Sequence, residues 1–118
     1  MSNVSEGHIH AEYDNEFKKL TKLLARMGGL AESQLANALI AIEKRDNKLA
    51  MAVKDGDKEI DALEHEIESL VVRMLALRQP MANDLRYVVS TLRTSSDIER
   101  IGDYAKNIAK RAMALNQL

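Results

Sequence analysis

The sequence predicts an all-α fold, an elongated antiparallel three-helix bundle, and three observations lead to it. Apolar residues recur at spacings of three and four through three long segments, which is the period of helices that bury one face. The 118 residues include one proline, five glycines and no tryptophan, a composition that favours uninterrupted helices over a turn-rich β fold. Short connections join the segments, so successive helices should be antiparallel neighbours.

Composition sets the class of the protein. Apolar residues make up 46% of the chain and charged residues 30%, as expected for one globular domain. We expect the bundle over residues 11–118 and a flexible tail over residues 1–10, which show no helical period. The absence of cysteine excludes disulfides and thiolate metal sites. No apolar run reaches about 18 residues, so no membrane insertion is expected, and a net charge of −1 argues against nucleic-acid binding.

The first helix is predicted from about Ala11 to Glu43. The pair Gly28-Gly29 inside it either weakens the helix locally or marks close packing against another helix. We expect close packing, because the apolar period continues across the pair. Asp46 follows the basic residues that end this helix and is a predicted N-cap for the next. The predicted buried stripe consists of Phe17, Leu20, Leu24, Met27, Ala31, Leu35, Ala38 and Ile42.

The second helix is predicted from about Asn47 to Leu77 and ends before Pro80, since the residue before a proline disfavours the helical region. Beside its apolar seam runs an acidic stripe. The predicted seam consists of Leu49, Val53, Gly56, Ile60, Leu63, Ile67, Leu70, Met74 and Leu77, and the acidic stripe of Asp57, Asp61, Glu64 and Glu68.

The third helix is predicted from about Met81 to Leu115, with its apolar register shifted near the middle. Its first register and its second are Leu85, Val88, Leu92 and Ser95, then Ile98, Ile101, Ala105, Ile108, Ala112 and Leu115. A basic stripe on this helix has two interpretations: ion pairing with the acidic stripe of the second helix, or binding of phosphate, an acidic partner or an anionic membrane surface. The stripe consists of Arg86, Arg93 and Arg100.

Two carboxylate pairs are the candidate functional residues: Asp57 with Asp61 on the second helix, and Glu99 with Asp103 on the third. Residues four apart share one helix face, so the pairs can meet across the bundle. They form either a solvated acidic face or a site for a hard cation such as magnesium, manganese or iron. His65 is expected at the surface beside the seam.

Other chemistry is weakly represented. His8 and His10 lie in the predicted tail, where they are either mobile or an adventitious metal clip. Ser95 and Ser96 read as small seam residues, and no nucleophile has a plausible base nearby in the pattern. We therefore expect no enzymatic activity.

Four segments give the chain a resemblance to a known family. MGGLAESQLANALIAI, DKEIDALEHEIESL, LALRQPMANDLR and SDIERIGDYAKNIAKRA together resemble the PhoU family of phosphate-signalling regulators, from about Tyr13 to Ala112. Family members resemble two tandem three-helix bundles with acidic motifs, which match Asp57-Asp61 and Glu99-Asp103 here. This chain has one bundle, and Tyr104 stands where the family often has histidine.

The resemblance implies a cytoplasmic regulator that acts as an adaptor between a phosphate ABC transporter and a sensor histidine kinase and lowers phosphate uptake. It also implies metal, iron among others, at the acidic motifs. A homodimer is expected, to rebuild the tandem arrangement and to cover a second apolar ridge of Leu23, Leu30, Leu39, Val71 and Val89. The alternatives are a metal-binding helical protein and a helical dimerisation module without a transporter role.

Overall fold

Three long helices lie side by side in the computed structural model, which describes the backbone from Ser2 and the side chains of residues 11–118. Helix α1 spans Ser2–Lys44, α2 spans Asn47–Arg78 and α3 spans Ala82–Asn116. Each helix packs against the other two, in a rod of 71 × 21 × 16 Å. The predicted elongated three-helix bundle is therefore confirmed. Helix α1 begins at Ser2 rather than near Ala11 as predicted. The side chains of the predicted tail, residues 1–10, lie outside the described residues, and its flexibility stays a prediction.

The connection between α1 and α2 is a tight two-residue turn. Arg45 is left-handed at φ 52°, and the amide of Asp46 donates to the carbonyl of Ala41 at 3.0 Å, the closure that usually ends a helix on glycine. The carboxylate of Asp46 then accepts from the amide of Leu49 at 3.0 Å. The predicted N-cap is confirmed, and the turn makes α1 and α2 antiparallel neighbours.

Helix α2 ends before Pro80, as predicted, with Gln79 left-handed at φ 48°. Ion pairs fasten this end to α1: the Nε of Arg78 donates to Glu16 at 2.8 Å and its Nη2 donates to Glu12 at 3.2 Å. Two carboxylates on one guanidinium hold the helices in a defined register.

None of the three helices, over the part of the chain that the structure describes, combines the length and the hydropathy that a membrane span requires.

The core has two parts that differ in side-chain size. One consists of large residues: Leu20, Leu23, Met27, Ala31, Ile60, Leu63, Ile67, Leu70, Val71, Met74 and Val88. The other, toward the α1–α2 turn, consists mainly of alanine: Ala38, Ala41, Ala50, Val53, Ala105, Ala109 and Ala112. The predicted α1 and α2 stripes supply eight of the eleven residues of the first part but only Ala38 and Val53 of the second. Ile42 and Leu77, which were also predicted to be buried, are 40% and 62% exposed.

Helix α3 keeps one register throughout, and the predicted shift is absent. Its inward positions alternate spacings of three and four without a slip: Val88, Thr91, Ser95, Ile98, Gly102, Ala105, Ala109 and Ala112. Leu85, Ile101 and Leu115, which were expected in the core, are 40%, 41% and 58% exposed. Small residues take the inward positions because the helices approach closely there.

Close approach occurs at Gly102 rather than at the glycine pair. A Cβ on Gly102 would lie 3.0 Å from the Cδ1 of Ile60 on α2, whereas one on Gly28 would make an ordinary contact at 3.8 Å and one on Gly29 would meet nothing within 4 Å. The interpretation of Gly28-Gly29 as a close-packing site was wrong. The open space at Gly29 leaves that glycine without a packing role.

Candidate metal site between α2 and α3

The four predicted carboxylates come together where α2 and α3 pack against each other. Asp61 and Asp103 each raise the pKa of Asp57 through their negative charge. The negative charges of Asp103, Asp61 and Glu64 likewise raise the pKa of Glu99. Glu64 is therefore a fifth member of the group. We call these five residues the acidic cluster; its members are Asp57, Asp61, Glu64, Glu99 and Asp103.

Asp57 is the buried member of the acidic cluster. It is 3% exposed, although the sequence placed Gly56, not Asp57, in the seam. Burial is the main reason why its pKa is raised, with the charges of Asp61 and Asp103 adding to the effect. Its Oδ1 has no hydrogen-bond partner within the described part of the chain. An orphaned, buried carboxylate oxygen is an unfavourable arrangement unless a ligand meets it.

Lys106 is the positively charged residue that faces Asp57. The Nζ of Lys106 lies 3.7 Å from the Oδ2 of Asp57 and lowers the pKa of Asp57 against the other effects. Gly102 makes this pairing possible, because its missing side chain lets α3 approach α2. Even a Cβ there would lie 3.3 Å from the Oδ1 of Asp57.

Two partly buried members, Glu99 and Glu64, also have raised pKa values. Burial, a hydrogen bond to Asp103 and the charge of Asp103 together raise the pKa of Glu99 to about 7. Burial, followed by the charges of Glu68 and Asp61, raises the pKa of Glu64, while His65 lowers it. Carboxylates that share so little positive charge repel one another, which favours the protonated form of Glu99 near neutral pH.

The donor set suits a hard cation, because it consists of carboxylate oxygens and contains no sulfur. Burial, mutual repulsion and the orphaned oxygen of Asp57 also fit a cation. In the described residues, however, no three side chains of the metal-binding types are already arranged to hold a metal ion. Cation binding would therefore require side-chain rearrangement, beginning with the Asp57–Lys106 pair.

Sequence reasoning identified four cluster members but missed Lys106 and Gly102. Lys106 follows Asp103 by three, so its place on the acidic face was predictable from helix spacing.

His65 is exposed, as expected, and its Nδ1 lies 3.8 Å from Glu68. The histidines expected in the tail, His8 and His10, lie outside the residues whose side chains are described. Ser95 is a buried seam residue that donates to the carbonyl of Leu92.

The arginine stripe does not pair with α2. Arg100 lies 3.9 Å from Asp97 of its own helix. Arg86 and Arg93 are exposed and form no ion pair with any described residue. Of the two interpretations of this stripe, pairing with the acidic residues of α2 is wrong, and two guanidinium groups are left facing solvent.

Comparison with known proteins identifies clear relatives. The PhoU domain family matches residues 24–112. The phosphate-specific transport system accessory protein PhoU homolog of Caulobacter vibrioides is 50% identical over 110 residues, covering 93% of this chain and 48% of that protein. The homolog of Xylella fastidiosa is 48% identical over 118 residues, covering all of this chain and 49% of that protein. The crystal structure of PhoU from Pseudomonas aeruginosa matches with a TM-score of 0.86 at 39% identity, over 89% of this chain and 50% of that one.

Proposed function

The chain belongs to the PhoU domain family, and from that premise we propose that it is a cytoplasmic regulatory adaptor that lowers phosphate uptake by binding protein partners. It spans about half the length of the curated relatives it matches, and those relatives are named as accessory proteins of a phosphate-specific transport system. The proposed partners are accordingly a phosphate ABC transporter and a sensor histidine kinase.

One exposed face of α3 carries the proposal. Leu85 and Val89, which are 40% and 38% exposed, lie four residues apart in the first turns of α3, and Met81, which is 80% exposed, precedes the helix. Beside them lie the guanidinium groups of Arg86 and Arg93, which have no ion-pair partner in the described residues. We call these five residues the α3 docking face.

The composition of the α3 docking face indicates the partner's chemistry. Exposed apolar side chains next to arginine are typical of protein–protein interfaces, in which charged groups steer association and apolar groups supply area. The unpaired positive charge selects an acidic partner. We therefore propose that the transporter or kinase presents an apolar surface edged by aspartate or glutamate.

A binding measurement tests this proposal. The purified chain is titrated against the ATP-binding subunit of the transporter and, separately, against the cytoplasmic part of the kinase. The double variant Arg86→Glu, Arg93→Glu should lose at least about tenfold in affinity, because like charges then meet across the interface. The control, Lys48→Glu with Lys110→Glu, reverses the same number of charges at the other end of the rod and should bind normally. Equal binding by both double variants would rule out the α3 docking face.

We also propose a homodimer, although its expected surface changes. Leu23 and Val71 of the predicted ridge are core residues, so that ridge is not the interface. Leu39 and Leu115, which are 54% and 58% exposed, offer apolar area toward the α1–α2 turn instead. Light scattering at micromolar concentrations should give twice the chain mass, and Leu39→Glu with Leu115→Glu should give the monomer. A monomer from the unmodified chain contradicts the proposal.

A cation at the acidic cluster is the second part of the proposal. Asp57, Asp61, Glu99 and Asp103 would hold magnesium, manganese or iron, which would neutralise their repulsion and stabilise the fold. The orphaned Oδ1 of Asp57 supports this part, and it also favours the alternative function, a metal-binding helical protein with no transporter role. Thermal melting with chelator, Mg²⁺, Mn²⁺ and Fe³⁺ tests it. Identical melting temperatures in all four conditions would show that the cluster is a solvated acidic face and binds none of these cations.

A further inference from the structure

Lys106 places a positive charge beside the buried member of the acidic cluster. Its ammonium group faces the Oδ2 of Asp57 at 3.7 Å, and Asp57 is the member of the cluster that is 97% removed from solvent, at 3% exposure. The other oxygen of the same carboxylate, Oδ1, is without a hydrogen-bond partner among the described residues. A group of the chain itself thus pairs with one oxygen of Asp57 and leaves the other oxygen unpartnered.

The geometry points to Lys106 as a built-in counter-cation, which holds the acidic cluster closed and must leave Asp57 when a metal ion binds. This inference rests on the proposed cation site but adds a component to it. It accounts for a cluster that has the chemistry of a hard-cation site without having its side chains arranged around one.

The position of Lys106 allows it to leave. It lies three residues after Asp103 on α3, and its side chain is 35% exposed against 4% for Asp57. A lysine stem can therefore swing its ammonium group into water without disturbing the core. Asp57 cannot move in the same way, because it is buried and its carboxylate lies against Gly102. The lysine is the mobile partner and the aspartate the fixed one.

Electrostatics sets the size of the effect. Metal binding requires Lys106 to give up its attraction to the Asp57 carboxylate, which is an interaction of two unit charges 3.7 Å apart, so removing the lysine charge should strengthen cation binding. The expected gain ranges from about fivefold, with the screening of water, to several hundredfold, with the weaker screening of a protein surface.

The experiment compares four proteins after chelator treatment: the unmodified chain, Lys106→Gln, Lys106→Arg and the control Lys110→Gln. Lys110 lies one turn further along α3 and is exposed. Mn²⁺ is titrated by calorimetry, with the Mn²⁺-induced shift in melting temperature as a second readout. We expect Lys106→Gln to bind Mn²⁺ at least about fivefold more tightly than the unmodified chain, and the other two variants to match the unmodified chain.

The outcomes separate this inference from the proposed cation site. Tighter binding by Lys106→Gln supports the inference, even if the unmodified chain binds no Mn²⁺ and the cation site fails in the natural sequence. Equal binding by the unmodified chain and Lys106→Gln overturns the inference and leaves the cation site standing. No binding by any of the four proteins overturns both.

A measurement on the unmodified chain keeps the inference testable if Lys106→Gln does not fold. Acetic anhydride acetylates lysines according to their exposure and freedom, and mass spectrometry assigns the modified positions. Adding Mg²⁺ should increase acetylation at Lys106 severalfold and leave Lys110 unchanged, because Mg²⁺ releases Lys106 from Asp57. Unchanged acetylation at Lys106 under conditions where Mg²⁺ raises the melting temperature would contradict displacement.

Discussion

Gly102 is the position at which adding one methyl group tests how closely α2 and α3 approach. In an ordinary helix interior, replacing glycine by alanine stabilises by about 1 kcal/mol, because the unfolded chain has less freedom to lose. At Gly102 the added Cβ would meet the Cδ1 of Ile60 at 3.0 Å, the Oδ1 of Asp57 at 3.3 Å and the Cγ2 of Ile60 at 3.4 Å. Ile60 is fully buried, so its side chain has little room to yield.

The net effect is the difference of two contributions. Overpacking a well-filled core costs about 1 to 3 kcal/mol, against which the helix preference of alanine returns about 1 kcal/mol. Gly102→Ala should therefore lower the free energy of unfolding by roughly 1 kcal/mol, which for a domain of this size lowers the melting temperature by about 4 °C.

Gly29→Ala is the matched control, since Gly29 is exposed and a Cβ there meets nothing within 4 Å. It should raise the free energy of unfolding by about 1 kcal/mol. Urea denaturation followed by circular dichroism gives both values on the same scale. If Gly102→Ala stabilises as much as Gly29→Ala, the helices do not approach as closely as described, and the explanation of the small-residue register on α3 is refuted.

Three further changes are predicted. The pKa of Glu99 is raised from 4.5 to about 7, so its contribution to the free energy of unfolding is fully present below the pKa of the unfolded chain and is lost as pH rises through 7. In chelator, Glu99→Gln should therefore melt at a higher temperature than the unmodified chain at pH 8, and the two melting temperatures should converge near pH 5. Asp46→Ala should cost about 1 kcal/mol in urea denaturation because Leu49 loses its cap, whereas Asp46→Asn should cost only a few tenths; equal losses would exclude capping. Arg78→Met should lower the melting temperature at low salt and lower it less in 1 M salt, since salt screens the pairing with Glu12, whose side chain is 47% exposed. A salt-independent loss would indicate that packing and the buried pair with Glu16 account for the whole effect.

Local signals predicted the helices and their ends. Asp46 and Pro80 act within one turn of where they stand, so the cap and the end of α2 were predictable from neighbours in the sequence. Most of the α2 seam was also predictable, because large apolar residues at heptad spacing have one side to bury. The predicted family was confirmed for a similar reason: its motifs are short, and three of the four segments lie on single helices while the fourth crosses the short α2–α3 connection.

The rotation of the helices about their axes was less predictable. In α3, Ile101 outweighs Gly102 on any scale of hydrophobicity, yet Gly102 faces the core because α2 comes too close for a larger residue. The rotation of α2 about its own axis likewise places Asp57 in the interior, and the rotation of α3 brings Lys106 next to it. These contacts depend on two helices at once, which no pattern within one helix reports.

The division of the core by side-chain size has a consequence for how the rod opens. Burying a leucine or isoleucine contributes roughly 1.5 to 3 kcal/mol, and an alanine much less, so the alanine end should exchange its amide hydrogens first and the large-residue end last. Asp57 lies between Val53 of the alanine part and Ile60 of the large-residue part, and Gly102 lies at the same junction on α3. The acidic cluster therefore sits at the boundary between two regions of unequal local stability. A cation bound there would stabilise this boundary, so that local unfolding of the alanine end would not extend into the large-residue end.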